Sequence, residues 1–139
     1  MTTPAYQQMI FVNLPVTDLT ASKKFFTELG YSINPQFSDD NAASVVISDT
    51  IVAMLLVKPF YSTFTKKEIA DATKTSEVLI ALSAESRAAV DELTDKALSL
   101  GATETRDPQD HGFMYGRAFD DLDGHTWEII WMDPSAIQG

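Results

Sequence analysis

Apolar residues dominate Met9 to Val16 and then give way to Thr17-Asp18. Asp18 has a side chain suited to capping a helix, and beyond it Leu19, Ser22, Phe25, Phe26 and Leu29 recur at helical spacing until Gly30. The pattern predicts a strand followed by a helix over Leu19 to Leu29. Three strand-like runs come next, at Tyr31 to Asn34, Ala43 to Ser48 and Ile51 to Val57, separated by the turn formers Asn34-Pro35, Asp39-Asp40-Asn41 and Asp49-Thr50. Together they make one βαβββ module, about residues 9–57.

The same order then returns. Glu77 to Leu82 reads as a strand, Ser83 as a cap, and Val90, Leu93, Ala97 and Leu100 as the apolar face of a second helix stopped by Gly101. Strands are predicted at Ala102 to Thr105, Phe113 to Phe119 and Thr126 to Met132, with Asp123-Gly124 as a hairpin signal. Val16 maps to Leu82 (offset 66), Leu29-Gly30 to Leu100-Gly101 (71) and Asp49 to Asp123 (74), the slow drift expected of two copies with small insertions. Residues 1–139 are therefore read as one domain, with module two at about 76–132. The connector, 58–75, holds Phe60, Tyr61, Phe64 and Ile69 and a capping-box pattern at Thr65-Lys66-Lys67-Glu68 that predicts a short helix. It reads as a packed crossover or subunit contact, with a lid as the alternative.

Composition narrows the function classes. With 139 residues, 45% of them hydrophobic and 22% charged, the chain is expected to form a packed soluble domain. Its 10 Lys and Arg against 20 Asp and Glu repel phosphate backbones, so nucleic acid is not an expected partner. The absence of cysteine excludes thiol chemistry and fits a cytoplasmic setting. No apolar run approaches the roughly 20 residues a membrane helix needs, so no membrane association is expected. The glycines form neither a phosphate-binding G-x-G-x-x-G nor a Gly-x-Ser-x-Gly elbow. His111 and His125 lack helix-borne ligand spacing and lie in turn-like segments.

Two stretches carry a family resemblance: Phe11-Val12-Asn13-Leu14-Pro15-Val16-Thr17-Asp18-Leu19 with Phe25-Phe26 and Leu29-Gly30-Tyr31, and Asp121-Leu122-Asp123-Gly124-His125-Thr126-Trp127-Glu128. They resemble the first-strand and last-hairpin signatures of the vicinal-oxygen-chelate superfamily of glyoxalase I, fosfomycin-resistance, bleomycin-binding and extradiol dioxygenase proteins. The run Pro108 to Arg117 is similar to a bacterial subgroup labelled predicted lactoylglutathione lyases. The resemblance implies an α+β fold in which two tandem βαβββ modules form a cup-shaped, incompletely closed mixed sheet with helices outside. It also implies a small organic ligand in the cup and a homodimer.

The family's four metal-ligand places, carried over by resemblance, fall on Phe11, Met54, Glu77 and Glu128. Phe cannot ligate, and Met suits Mn, Ni, Zn or Fe poorly, so no tightly bound metal is expected. Strand parity places Glu128 opposite the face of Trp127 and Ile129. If Glu77 joins it, the pair is suited to acid/base catalysis or to weak binding of a divalent metal; otherwise both are structural or solvated. Asn13, polar within an apolar strand, marks a ligand pocket walled by Phe11 and Met54. Tyr115 and Arg117 share a strand face and either orient an anionic or carbonyl group or lie under the helix. The expected function is ligand binding with lyase-like chemistry, against two rivals: a non-catalytic sequestering protein and a metal-dependent lyase or dioxygenase.

Overall fold

The computed structural model describes residues 6–136 and divides the chain into two compact units, Met1–Ile69 and Ala70–Gly139. In the first, β1 (Ile10–Val16) leads into α1 (Leu19–Leu29), followed by β2 (Ser32–Asn34), β3 (Ala42–Val46), β4 (Ile51–Val57) and a short helix, α2 (Lys58–Tyr61). The sheet order is β1-β4-β3-β2, with β1 parallel to β4 and the other pairs antiparallel. Asp18 caps α1 by accepting from the Ala21 amide at 3.0 Å, and Gly30, at φ 122°, ends it by donating to Phe26 and Thr27 carbonyls. The helix turns Phe25, Phe26 and Leu29 onto the sheet, against Leu14 and Val16 of β1, Val45 of β3 and Leu55 of β4, all buried. Removing each such side chain from water is worth about 1.5–3 kcal/mol, which holds α1 in place.

The second unit repeats the plan with β5 (Leu79–Ser83), α3 (Arg87–Ser99), β6 (Thr103–Glu104), β7 (Gln109–Asp110), β8 (Met114–Asp120) and β9 (Thr126–Met132). Its order is β5-β9-β8-β6, β5 running parallel to β9, and β7 adds to β8. Val90, Thr94 and Ala97 of α3 are buried on the sheet face formed by Phe119, Trp127 and Ile129.

Three expectations are corrected. The cap of α3 is Ser86, which accepts from Ala89 at 3.0 Å, and not Ser83, which ends β5. Aligning caps, Asp18 with Ser86, fixes the module offset at 68 and not 66. The buried residues agree, Leu14 matching Leu82. The helices differ by two residues, 11 against 13, because the extra offset came from misplacing the strand. Thr65 opens no helix: its hydroxyl accepts from Lys67 two residues on, a local turn that competes with capping.

Candidate functional site

Each sheet has one face under its helix and a second, far face. In unit one the far face takes alternate residues: Phe11 and Asn13 of β1, Val52, Met54 and Leu56 of β4, and Ser44 of β3. Asn13 sits level with Met54, and Met54 with Ser44. The inner strands' members Val52, Leu56 and Ser44 are buried, while Phe11 on the outer strand is 56% exposed and Asn13 is exposed. The structure thus brings Phe11, Asn13 and Met54 onto one surface. The Asn13 carboxamide, which makes no hydrogen bond among the described residues, is the polar group in an apolar wall.

In unit two the equivalent face carries Leu79, Ala81 and Ser83 of β5, Glu128 and Ile130 of β9, and Gly116 and Ala118 of β8. Glu128 lies level with Ala81 on one side and Ala118 on the other, two small side chains. With the offset of 68, the counterpart of Phe11 is Leu79, which is 52% exposed. Glu77 precedes β5 and is exposed. It lies four residues before Ala81, the rung of Glu128, or about 13 Å of extended chain. Glu77 thus stands before β5 and off the rung of Glu128, so the strand register lends no support to a pairing of the two acids.

Glu128 has a different partner. Its Oε2 lies 2.7 Å from Nη2 of Arg106, a residue of the loop between β6 and β7, with side-chain exposures of 14% and 33%. Arg106 was missed from sequence because it sits outside any periodic element; the available signal was that a carboxylate on a half-buried face requires a cation. Its Nε is buried without a hydrogen-bond partner among the described residues.

Tyr115 and Arg117 take the second of their two expected placements, under the helix. They share the helix-side face with Phe119, and α3 supplies carboxylates at helical spacing to meet them. The Tyr115 hydroxyl donates to Asp91 at 2.7 Å; Arg117 reaches Asp91 (3.1 Å), Asp95 (2.8 Å) and Glu104 (2.9 Å) and is itself buried. Glu104 first, then the α3 aspartates, hold the guanidinium above its ordinary pKa, and the bond to Asp91 raises the Tyr115 phenol. Beside them Arg87 forms a two-pronged pair with Asp110 at 2.8 Å, donates to the Gly112 carbonyl and stacks near the Tyr115 and Trp131 rings. This network fastens α3 to β7 and β8.

The Asp121 to Glu128 signature has a structural explanation up to its last residue. Asp121 Oδ1 accepts from the Asp123 and His125 amides, and Oδ2 from the Trp127 indole at 3.0 Å. Burial raises its carboxyl pKa, while the charge on His125 and these bonds pull it back. Gly124, at φ 86°, packs directly on the backbone of Ala72 and Thr73.

The metal that the resemblance implies does not fit this donor set. Phe11, Met54 and Leu79 offer no hard ligand, and Glu128 is engaged by Arg106. Among the described residues no group of three His, Cys, Asp or Glu is placed to hold an ion.

Comparison with known proteins agrees with this architecture. Residues 8–48 match the bleomycin resistance protein-like N-terminal family model. No curated protein matches the chain. A solved hypothetical protein of S. aureus is 29% identical over 92% of this chain and 95% of its own, with a TM-score of 0.76. A glyoxalase/bleomycin resistance protein/dioxygenase family enzyme of Burkholderia phytofirmans is 16% identical, with coverages of 91% and 99% and a TM-score of 0.77. The bleomycin resistance determinant encoded on transposon Tn5 is 20% identical, with coverages of 91% and 99% and a TM-score of 0.64. Residues 8–48 thus resemble the bleomycin resistance protein-like family, and the chain shares the fold of glyoxalase/bleomycin resistance/dioxygenase structures.

Proposed function

We propose that this chain is a non-catalytic small-molecule-binding protein, a cytoplasmic homodimer that holds a neutral organic ligand on its far sheet faces without a tightly bound metal. One observation carries the reading: Glu128 is paired with Arg106 while the apolar wall around Asn13 stays exposed. Lyase chemistry of the enediolate kind needs a base and a strong electrophile at one place; Glu128 is engaged by Arg106 and Glu77 precedes the strand. The exposed Phe11 and Leu79 and the half-buried Met54 suit an apolar or aromatic body, which is how most ligand sites gain affinity. The absence of cysteine supports the cytoplasmic assignment, and no helix among the described residues is long and apolar enough to cross a membrane.

The test is twofold. Nile red, an uncharged apolar dye, is expected to bind saturably with enhanced fluorescence and to lose at least about fivefold in affinity on Phe11→Asp, since roughly 1 kcal/mol of apolar contact is removed. A glyoxalase I assay with or without added Zn, Ni or Mn is expected to show no turnover above background. Turnover that disappears in Glu128→Gln would replace this reading with the lyase one.

A further inference from the structure

Arg106 differs from the chain's other two arginines. Arg117 uses Nε, Nη1 and Nη2 on three carboxylates, and Arg87 uses both terminal nitrogens on Asp110 and one also on the Gly112 carbonyl. Arg106 pairs with one carboxylate, Nη2 lying 2.7 Å from Oε2 of Glu128, and its Nε is buried with no acceptor among the described residues. Nε is closed off from solvent, but Nη1 is not and makes no hydrogen bond among the described residues, so the guanidinium keeps a terminal N–H to offer a ligand. Glu128 is incomplete as well, because Oε2 faces Arg106 and Oε1 accepts no hydrogen bond among the described residues. The residues level with it, Ala81 and Ala118, are small, and Ala81 is exposed at the outer strand, so the carboxylate is approachable over β5.

We propose that the Arg106–Glu128 pair is the polar end of a ligand site on unit two, built to take a neutral group carrying a hydrogen-bond donor beside an acceptor, of the carboxamide type. The guanidinium gives N–H to the ligand's carbonyl oxygen, and Glu128 Oε1 accepts the ligand's N–H. The pair has no net charge, which selects against ions: a carboxylate meets Glu128 and an ammonium meets Arg106, so each pays for a like charge at close range. Leu79 and Ile130 on the same face supply contact for an apolar body. This inference rests on reading the far faces as ligand walls and assigns the ligand's functional group.

The experiment compares benzamide, benzoate and benzylammonium, which share one ring, by protein-observed NMR with the Arg106 Nε–H resonance identified from its loss in Arg106→Lys. Benzamide is expected to bind tightest of the three and to shift that resonance. Arg106→Met and Glu128→Met are each expected to weaken benzamide at least tenfold, about 1.4 kcal/mol for a lost bond to a charged group. Arg106→Gln and Glu128→Gln serve where the methionine variants fold poorly, and are expected to weaken it severalfold. Benzoate or benzylammonium binding tighter than benzamide overturns the proposal, and so does benzamide affinity unchanged in all four variants. Failure of benzamide to bind while Nile red binds overturns this inference alone; failure of both overturns the binding reading as well.

Discussion

At Asp121, Oδ1 serves two turn amides and Oδ2 the Trp127 indole, so an amide in its place must point its nitrogen at a donor. Asp121→Asn is expected to lower stability by about 1–3 kcal/mol, the usual cost of an unsatisfied buried polar group, read from chemical denaturation. Its raised pKa makes the ionised form the costlier one when folded, so wild-type stability gains from this residue at low pH and loses it as pH climbs through the folded pKa. Asp110 has the opposite sign. The Arg87 hydrogen bonds hold its carboxyl far below the ordinary carboxylate range, so the clamp stabilises above the unfolded pKa of about 3.9 and weakens only as pH falls below it. Carboxyl NMR is expected to show Asp110 still ionised at pH 3; titration near 4 would refute the clamp. At this scale the sequence was partly legible. Asn13 stood out as polar among apolar neighbours, but Arg106 had no pattern around it. Tyr115 and Arg117 had a readable signal, since they share parity with Phe119, and Asp91 and Asp95 stand four apart on the facing helix.

Helices and strands followed the hydrophobic pattern closely because burial against one partner imposes a period. β1, α1, β4 and β9 were all readable in that way. The misplacement of Glu77 has a specific cause. Slipping a strand by one residue reverses its faces, whereas slipping it by two leaves every apolar residue on its proper side. Periodicity is therefore blind to the two-residue error, and only the caps Asp18 and Ser86 resolve it. β7 has two residues and is held by backbone pairing, with no side-chain period to announce it. At the last hairpin, a Cβ on Gly124 would lie 2.8 Å from the Thr73 nitrogen, in a backbone region unfavourable to side chains, while one on Gly112 at φ 78° meets nothing within 4 Å. Gly124→Ala is expected to cost at least about 2 kcal/mol and Gly112→Ala about 1, the difference being the clash. Equal midpoints in denaturant would show that the Ala72–Thr73 segment yields.

For the whole molecule, duplication explains why each unit has an outer first strand with exposed apolar residues: Ile10 and Phe11 on β1, Leu79 on β5. Exposed outer strands of this kind invite pairing, and natural proteins cover them. We expect sedimentation to show a dimer; a wild-type monomer at micromolar concentration would refute the homodimer. The arginines have one more consequence. All three face carboxylates of their own unit, on a chain of formal charge −10. An approaching molecule therefore meets the field of a polyanion. Encounter should be slow for anions at low salt and faster as salt rises, fast for cations and slowed by salt, and indifferent to ionic strength for a neutral ligand. Association rates measured across a salt series thus report the charge of the natural ligand before its structure is known.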